Sequence, residues 1–243
     1  MKGKPESLNG DMTIRALMDT REMDWTPSPA GAVLRKRLHL VGEIESGQVT
    51  TFVRYLPGSS FPEHDHPDGE EIFVLKGTFS DHLGDARDGT HLLYPEGFRH
   101  APHSEPGCLI LVKLRQYGGE GRQFHRTQTH DMTWQTTNLP GIEQKVLYEN
   151  DRFPDVTRLE RWAPGAAPGP RLFPGGIEVF VIEGAFEDAD GRYPGGTWFR
   201  LPAGSTFEAR SDNGCVAYVK TGALPTLRSG VSPQPVSAST SVF

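Results

Sequence analysis

The sequence predicts an all-β protein built from two tandem jelly-roll barrels or sandwiches. The grounds are an internal repeat at fixed offset, short apolar runs cut by glycine and proline, and the lack of a helical stripe. RYLPG (54–58) and RWAPG (161–165) stand 107 positions apart. At that offset, without a gap, EEIFVLKGTFSD (70–81) meets IEVFVIEGAFED (177–188). GTHLLYPEG (89–97) meets GTWFRLPAG (196–204), and GCLILVK (107–113) meets GCVAYVK (214–220). The shared positions are Gly, Pro, Phe, Val and Cys, which serve backbone and core, so the repeat reports a shared fold more than a shared site. The 28 glycines and 20 prolines exceed average usage and punctuate short strands. No stretch of 12 or more residues carries apolar residues at i, i+3, i+4 and i+7.

In chain order, residues 1–22 read as an amino-terminal tail, polar and mobile over 1–12, with TIRALMDT (13–20) at most a short turn of helix. The first copy begins near Met23, where MDW (23–25) echoes MTW (132–134), and is expected to run over 23–128. Within it TTFVRYL (50–56) alternates, IFVLKG and TFSD read as two strands or one long bent one, and HLLYP and CLILVKL follow. The second copy is expected over 129–223. The Ser/Pro-rich residues 224–243 read as a flexible tail.

Composition excludes several classes. A net charge of −6 gives no electrostatic case for nucleic acid. The longest apolar runs, CLILVKL (108–114) and VFVIEG (179–184), fall far short of the roughly 20 residues of a membrane-spanning helix. MKGKPESLNGDM lacks the apolar centre of a secretory signal, and Cys108 and Cys215 lie inside apolar runs as buried thiols. A cytoplasmic protein is the default expectation.

The chemistry lies in GSSFPEHDHPDGEE (58–71). Gly58 is followed by five residues and His64, then by one residue and His66, by three and Glu70, and by six and Gly77. Further on, Gly89 precedes by five residues the run Pro95, Glu96, Gly97, and two residues later stands His100. These spacings resemble the two motifs of the cupin superfamily, at full strength over about half the chain. The second copy makes the whole similar to a bicupin. Histidines at i and i+2 of an extended chain share one side, Glu70 keeps that parity, and Pro95 and Gly97 turn His100 back inward. His64, His66, Glu70 and His100 are therefore the expected ligands of one divalent ion, with one or two positions open to an anionic chelate. A closed, structural zinc site is the competing reading.

The second copy serves as a control. At the same offset His64 becomes Arg171, His66 becomes Phe173, Glu70 becomes Ile177 and His100 becomes Phe207. All four ligands are lost together, so a metal-free second barrel filled by Phe173, Ile177 and Phe207 is expected. A pocket there with Arg171 as anion anchor is the alternative. Glu71 is matched by Glu178, and a residue kept where no metal binds has a structural task, a hydrogen bond or an inter-barrel contact. Glu63, Asp65 and Asp68 are expected to be solvated, as is His103. His82, His91, His125 and His130 lie outside the motif and are expected at the surface or on strand exteriors. Tyr55, Phe61 and Phe98 are candidates to line a pocket, whereas Phe73, paired with Phe180, fits core or interface.

Within the superfamily, HDHPDGEEIFVLKGTFSDHLGD (64–85) and YPEGFRHAPHSEPGCLILVKL (94–114) resemble the ChrR-type cupin group. That group includes the zinc-binding domain of anti-sigma factors and small iron dioxygenases that cleave carbon–carbon bonds of diketone- or hydroxyketone-like substrates. The resemblance implies one metal per chain, Fe(II) or Zn(II), with Mn(II) or Ni(II) also compatible. It implies a small-molecule substrate or ligand, a catalytic part for Glu70, and a homodimer. Residues 1–22 hold no Cys or His, unlike the sigma-binding domain of the anti-sigma proteins, which argues against that role. A metal-dependent dioxygenase is the leading expectation. A zinc-binding sensory cupin and a non-redox Zn or Mn isomerase or hydrolase are the alternatives.

Overall fold

The computed structural model describes residues 6–29 and 31–230. The first half holds β1 (Glu6–Leu8), β2 (Ala16–Asp19), β3 (Thr26–Pro27), β4 (Val33–Gly42), β5 (Gln48–Tyr55), β6 (Ser59–Ser60) and β7 (His64–His66). β8 (Glu70–Asp81), β9 (Gly84–Arg87), β10 (Thr90–Tyr94), β11 (Phe98–His100), β12 (His103–Ser104) and β13 (Cys108–Leu114) complete it. Next come β14 (His125–Gln128), β15 (Gln135–Thr136), β16 (Ile142–Tyr148), β17 (Val156–Trp162), β18 (Arg171–Phe173) and β19 (Ile177–Asp188). β20 (Gly191–Pro194), β21 (Thr197–Leu201), β22 (Ser205–Phe207) and β23 (Cys215–Thr221) end the series. From β7/β18 to β13/β23, the paired strands keep the 107-residue offset, except that β12 has no named partner. IFVLKG and TFSD form one long strand, β8.

Each copy folds into its own β barrel. The large sheets run β1-β4-β5-β13-β8-β10-β14 and β15-β16-β17-β23-β19-β21-β2, all antiparallel. A two-stranded ribbon closes each barrel, β7 with β11 in the first and β18 with β22 in the second. Glycine is required where β8 passes β13: Gly77 has φ +80° and a Cβ there would stand 2.1 Å from Gly107 O. Gly184 repeats this, with a Cβ position 2.0 Å from Gly214 O.

The structure corrects both expected tails. Residues 16–19 are a strand, not a turn of helix, and they pair with β21 of the second barrel. Four residues carry too little periodicity to tell helix from strand; the open edge of β21 decides, with Ala16 and Met18 packed inward and Leu17 exposed. The matching strand β14, just before the second copy, pairs with β10 of the first barrel in the equivalent register. Each barrel thus takes its outermost strand from the segment that leads the other copy. At the other end Leu224–Thr226 form a 3₁₀ turn with Leu224 buried, and Arg228 N donates to Gln48 Oε1 at 3.0 Å. Residues 1–5 and 231–243, also expected as tail, lie outside the described residues.

Between the barrels lies an apolar layer that includes Phe52, Phe73, Phe180, Trp198 and Tyr218. Beside it two buried lysines cross the interface reciprocally. Lys113 of the first barrel meets Glu178 of the second, and Lys220 of the second meets Glu71 of the first at 3.2 Å. Thr157 Oγ1 donates to Glu71 Oε1 at 2.8 Å and Tyr117 donates to Oε2. Glu71 is thus the inter-barrel contact. His91 is on the strand exterior as expected, yet wholly buried, with Nε2 2.6 Å from Glu71 Oε1. In the second barrel Phe173, Ile177 and Phe207 are buried in its core, and Arg171 is held by Glu160 at 2.8 and 2.9 Å. Cys108 and Cys215 are free and buried. Among the described residues no helix is long and apolar enough to cross a membrane.

Candidate metal centre

The ribbon β7–β11 joins the two motifs: His100 pairs across strands with His64, and Phe98 with His66. The turn before β11 is fixed by Gly97, at φ +80°, whose N–H donates to His66 O at 3.0 Å. His64, His66 and His100 offer ring nitrogens that all lie within 4.8 Å of one another. Glu70, at the start of β8, brings Oε2 to 3.4 Å from His66 Nε2 and 3.5 Å from His100 Nε2. The three histidines expected from spacing are therefore together, and Glu70 stands against two of them, His66 and His100.

Their environment fits a cation. His66 Nε2 and His100 Nε2 face each other at 2.9 Å. His100 Nδ1 is 3.0 Å from Asp81 Oδ2, and His64 Nδ1 is 2.7 Å from Pro62 O. An Nδ1–H given to these acceptors leaves the Nε2 lone pair of each ring free toward the centre. Glu70 Oε2 is buried without a hydrogen-bond partner, an orphan a metal would satisfy. Burial, reinforced by the charges of His100 and His64, pulls His66 down to about 2, and burial lowers His64 as well, so both imidazoles stay neutral. Burial pushes Glu70 up to about 7, His100 opposing and Asp81 adding to the rise. Three imidazole nitrogens and one carboxylate oxygen form a donor set suited to a divalent ion.

Asp81 and Tyr94 were not expected from the motif. Tyr94 Oη donates to Asp81 Oδ2 at 2.7 Å, and Asp81 holds the His100 ring. Burial works to raise Asp81, yet the hydrogen bonds from His100, Tyr94 and the Leu83 N–H outweigh it and keep the carboxylate charged. One signal was available: Tyr94 is replaced by Leu201 in the second copy, along with the four ligands.

A cavity of about 310 Å³ opens over the centre. Val33, Val53, Tyr55, Phe61, Phe79 and Ile110 supply apolar wall, and Arg35, Asp65 and Arg115 stand at its polar parts. Tyr55 and Phe61 thus line it as expected, while Phe98 packs on Tyr94 and Phe124 and Phe73 on Tyr218. Glu63 and Asp65 are exposed, as are His82, His103 and His130. His125 is half-buried, its Nε2 2.7 Å from Leu147 O. Asp68 departs from expectation: it is half-buried and paired with Arg228 at 2.6 Å, because the carboxy-terminal segment returns to this loop.

Comparison with known proteins agrees with this fold. The family model of the ChrR cupin-like domain matches twice, over residues 13–118 and 122–225. No curated protein matches. Among solved structures, a candidate dioxygenase of Nostoc punctiforme shares 18% identity with a TM-score of 0.70, covering 91% of this chain and 88% of that one. The protein Ylba of E. coli shares 14% identity with a TM-score of 0.68, covering 87% and 92%. A Bacillus subtilis oxalate decarboxylase, described for its Mn(II) centres, shares 13% identity with a TM-score of 0.59, covering 85% and 77%. At these identities the likeness is one of fold.

Proposed function

This chain belongs to the ChrR cupin-like family, and from that premise we propose that it is a divalent-metal-dependent oxidoreductase of the non-haem dioxygenase kind, acting on a small diketone- or hydroxyketone-like substrate. The observation that carries this reading is the convergence of His64, His66 and His100 with the orphaned carboxylate oxygen of Glu70 beneath an open cavity. A closed structural site would need no such cavity. The solved oxalate decarboxylase with Mn(II) centres and the candidate dioxygenase lend support at the level of fold.

His64, His66, His100 and Glu70 would hold the metal, which would supply a Lewis acid for substrate oxygens. The chain's own residues do the rest. His64 and His100 are locked in orientation by Pro62 O and Asp81. The apolar wall of Val53, Phe79 and Ile110 excludes bulk water and favours the uncharged part of a ketone. Glu70 contributes anionic charge, and its raised affinity for a proton fits it to accept one from the acidic carbon of an enolisable substrate.

The test is metal analysis of protein prepared with and without air, followed by oxygen uptake after Fe(II) loading against a panel of diketones, hydroxyketones and small keto acids. Uptake that disappears in His64→Ala and persists in the exposed control His103→Ala supports the proposal. One equivalent of zinc with no uptake from any panel member after Fe(II) loading refutes the dioxygenase and leaves a non-redox or sensory zinc site.

A further inference from the structure

Arg115 stands where the fold disfavours a side chain. It follows β13 in the left-handed region at φ +59°, a conformation that strains any residue with a Cβ. Its backbone N–H is tied to Gly69 O at 3.0 Å, in the loop directly before Glu70. The position 107 residues later is Gly222, at φ +81°. The metal-free copy thus fills this turn with the residue that steric rules favour. The copy with the histidine cluster keeps an arginine there instead, and that arginine lines the cavity together with His64, His66, His100 and Glu70.

The charges around the cavity leave this guanidinium without an ion-pair partner. Arg35, the other cation of the wall, is paired with Glu45 at 2.7 Å. Asp68, the acid with the largest effect on Arg115, is engaged by Arg228 at 2.6 Å. Asp65 acts on it more weakly and is exposed. Among the described residues no carboxylate lies within 4.0 Å of the Arg115 guanidinium, and its hydrogen bond to Gly47 O is stretched to 3.5 Å. A half-buried guanidinium with no carboxylate partner among the described residues, on the wall of the cavity that holds the histidine cluster, is arranged for an anion that reaches both.

We propose that Arg115 is the specificity residue of the cavity and that it seats a carboxylate, making the substrate a small keto acid whose ketone oxygen faces the metal centre. This rests on the metal-dependent reading above and revises its substrate class, a carboxylate standing where that reading has a second ketone or hydroxyl. One guanidinium matches one carboxylate through two parallel N–H···O bonds. A phosphate dianion asks for more positive charge than this wall has free, since Arg35 is neutralised. The cavity, about 310 Å³, has room for a small keto acid.

Zinc-loaded wild type, Arg115→Gly and Arg115→Lys are titrated calorimetrically with acetoacetate and with 2,4-pentanedione, in which an acetyl group replaces the carboxylate. Arg115→Gly should weaken acetoacetate roughly 10- to 100-fold and leave pentanedione nearly unchanged. Arg115→Lys should fall between. The glycine variant adopts the second copy's own solution, so its melting temperature should equal or exceed that of wild type. Equal effects on both ligands, no effect on either, or failure of wild type to bind acetoacetate overturns the proposal. Zinc content measured on the same samples separates this from the parent reading. A wild type that takes up no metal refutes the parent, and the acetoacetate difference between wild type and Arg115→Gly still decides the role of Arg115.

Discussion

Replacing Lys220 by methionine keeps most of the side chain's length and volume and removes its charge. In the fold that charge is buried, with Nζ 3.2 Å from Glu71 Oε2 and 3.0 Å from both Asp155 Oδ2 and Thr157 Oγ1. After substitution Asp155 keeps Arg122 at 2.5 Å. Glu71 keeps hydrogen bonds, from Thr157 at 2.8 Å, from Tyr117 and with His91, and loses the cation in direct contact with it. The main loss is therefore one buried carboxylate stripped of its cation, about 3–5 kcal/mol. Urea denaturation of both proteins measures it. The pH dependence identifies the cause. In wild type, burial would raise Glu71, but the charge of Lys220 and the bond to His91 outweigh it and hold the carboxyl well below 4.5. Its stabilisation is thus complete above 4.5 and fades as pH falls through the depressed folded value. Without Lys220, burial dominates and the carboxyl moves up. The deficit should be largest near pH 7 and shrink on acidification, as a proton neutralises the stranded group. A loss below about 1 kcal/mol, or one equal at pH 7 and in acid, refutes the reasoning.

Other outcomes follow from the same geometry. Asp81→Asn removes the charge that orients His100 and should weaken metal binding about 10- to 100-fold in competition with a chromogenic chelator; undiminished affinity would separate Asp81 from the site. Phe207→Ala empties part of the second barrel's core and should cost about 3–5 kcal/mol in urea denaturation, with metal content unchanged. Gly77→Ala drives a Cβ toward Gly107 O from a backbone at φ +80° and should cost more than about 1 kcal/mol, read from the same denaturation curves.

The repeat was legible because it is carried by residues with no substitutes. Gly77 and Gly184 each let one strand pass another's carbonyl at close range, so both copies must keep them. The histidine cluster was legible because strand parity fixes which side chains share a face, and the second copy showed which of the acids could be dispensed with. Asp81 was hidden by the same logic. It is matched by Asp188, which has taken Arg15 and Tyr193 as partners, so its retention carried no mark of the metal site. The strand β2 was hidden because its pairing is decided by an edge more than 170 residues away. Asp68 was misjudged because its partner Arg228 lies in a segment whose composition gives no sign of docking.

The exchange of β2 and β14 also bears on how such a chain changes over generations. Each copy completes the other's sheet, so a half taken alone would leave β10 or β21 with a bare edge open to pairing with a stranger. Selection on the working barrel therefore preserves the backbone of its neighbour while placing no demand on that neighbour's interior. Under that regime the second copy can hold Arg171, Phe173, Ile177 and Phe207 where the first holds its histidines and Glu70, because what each barrel gives the other is closure.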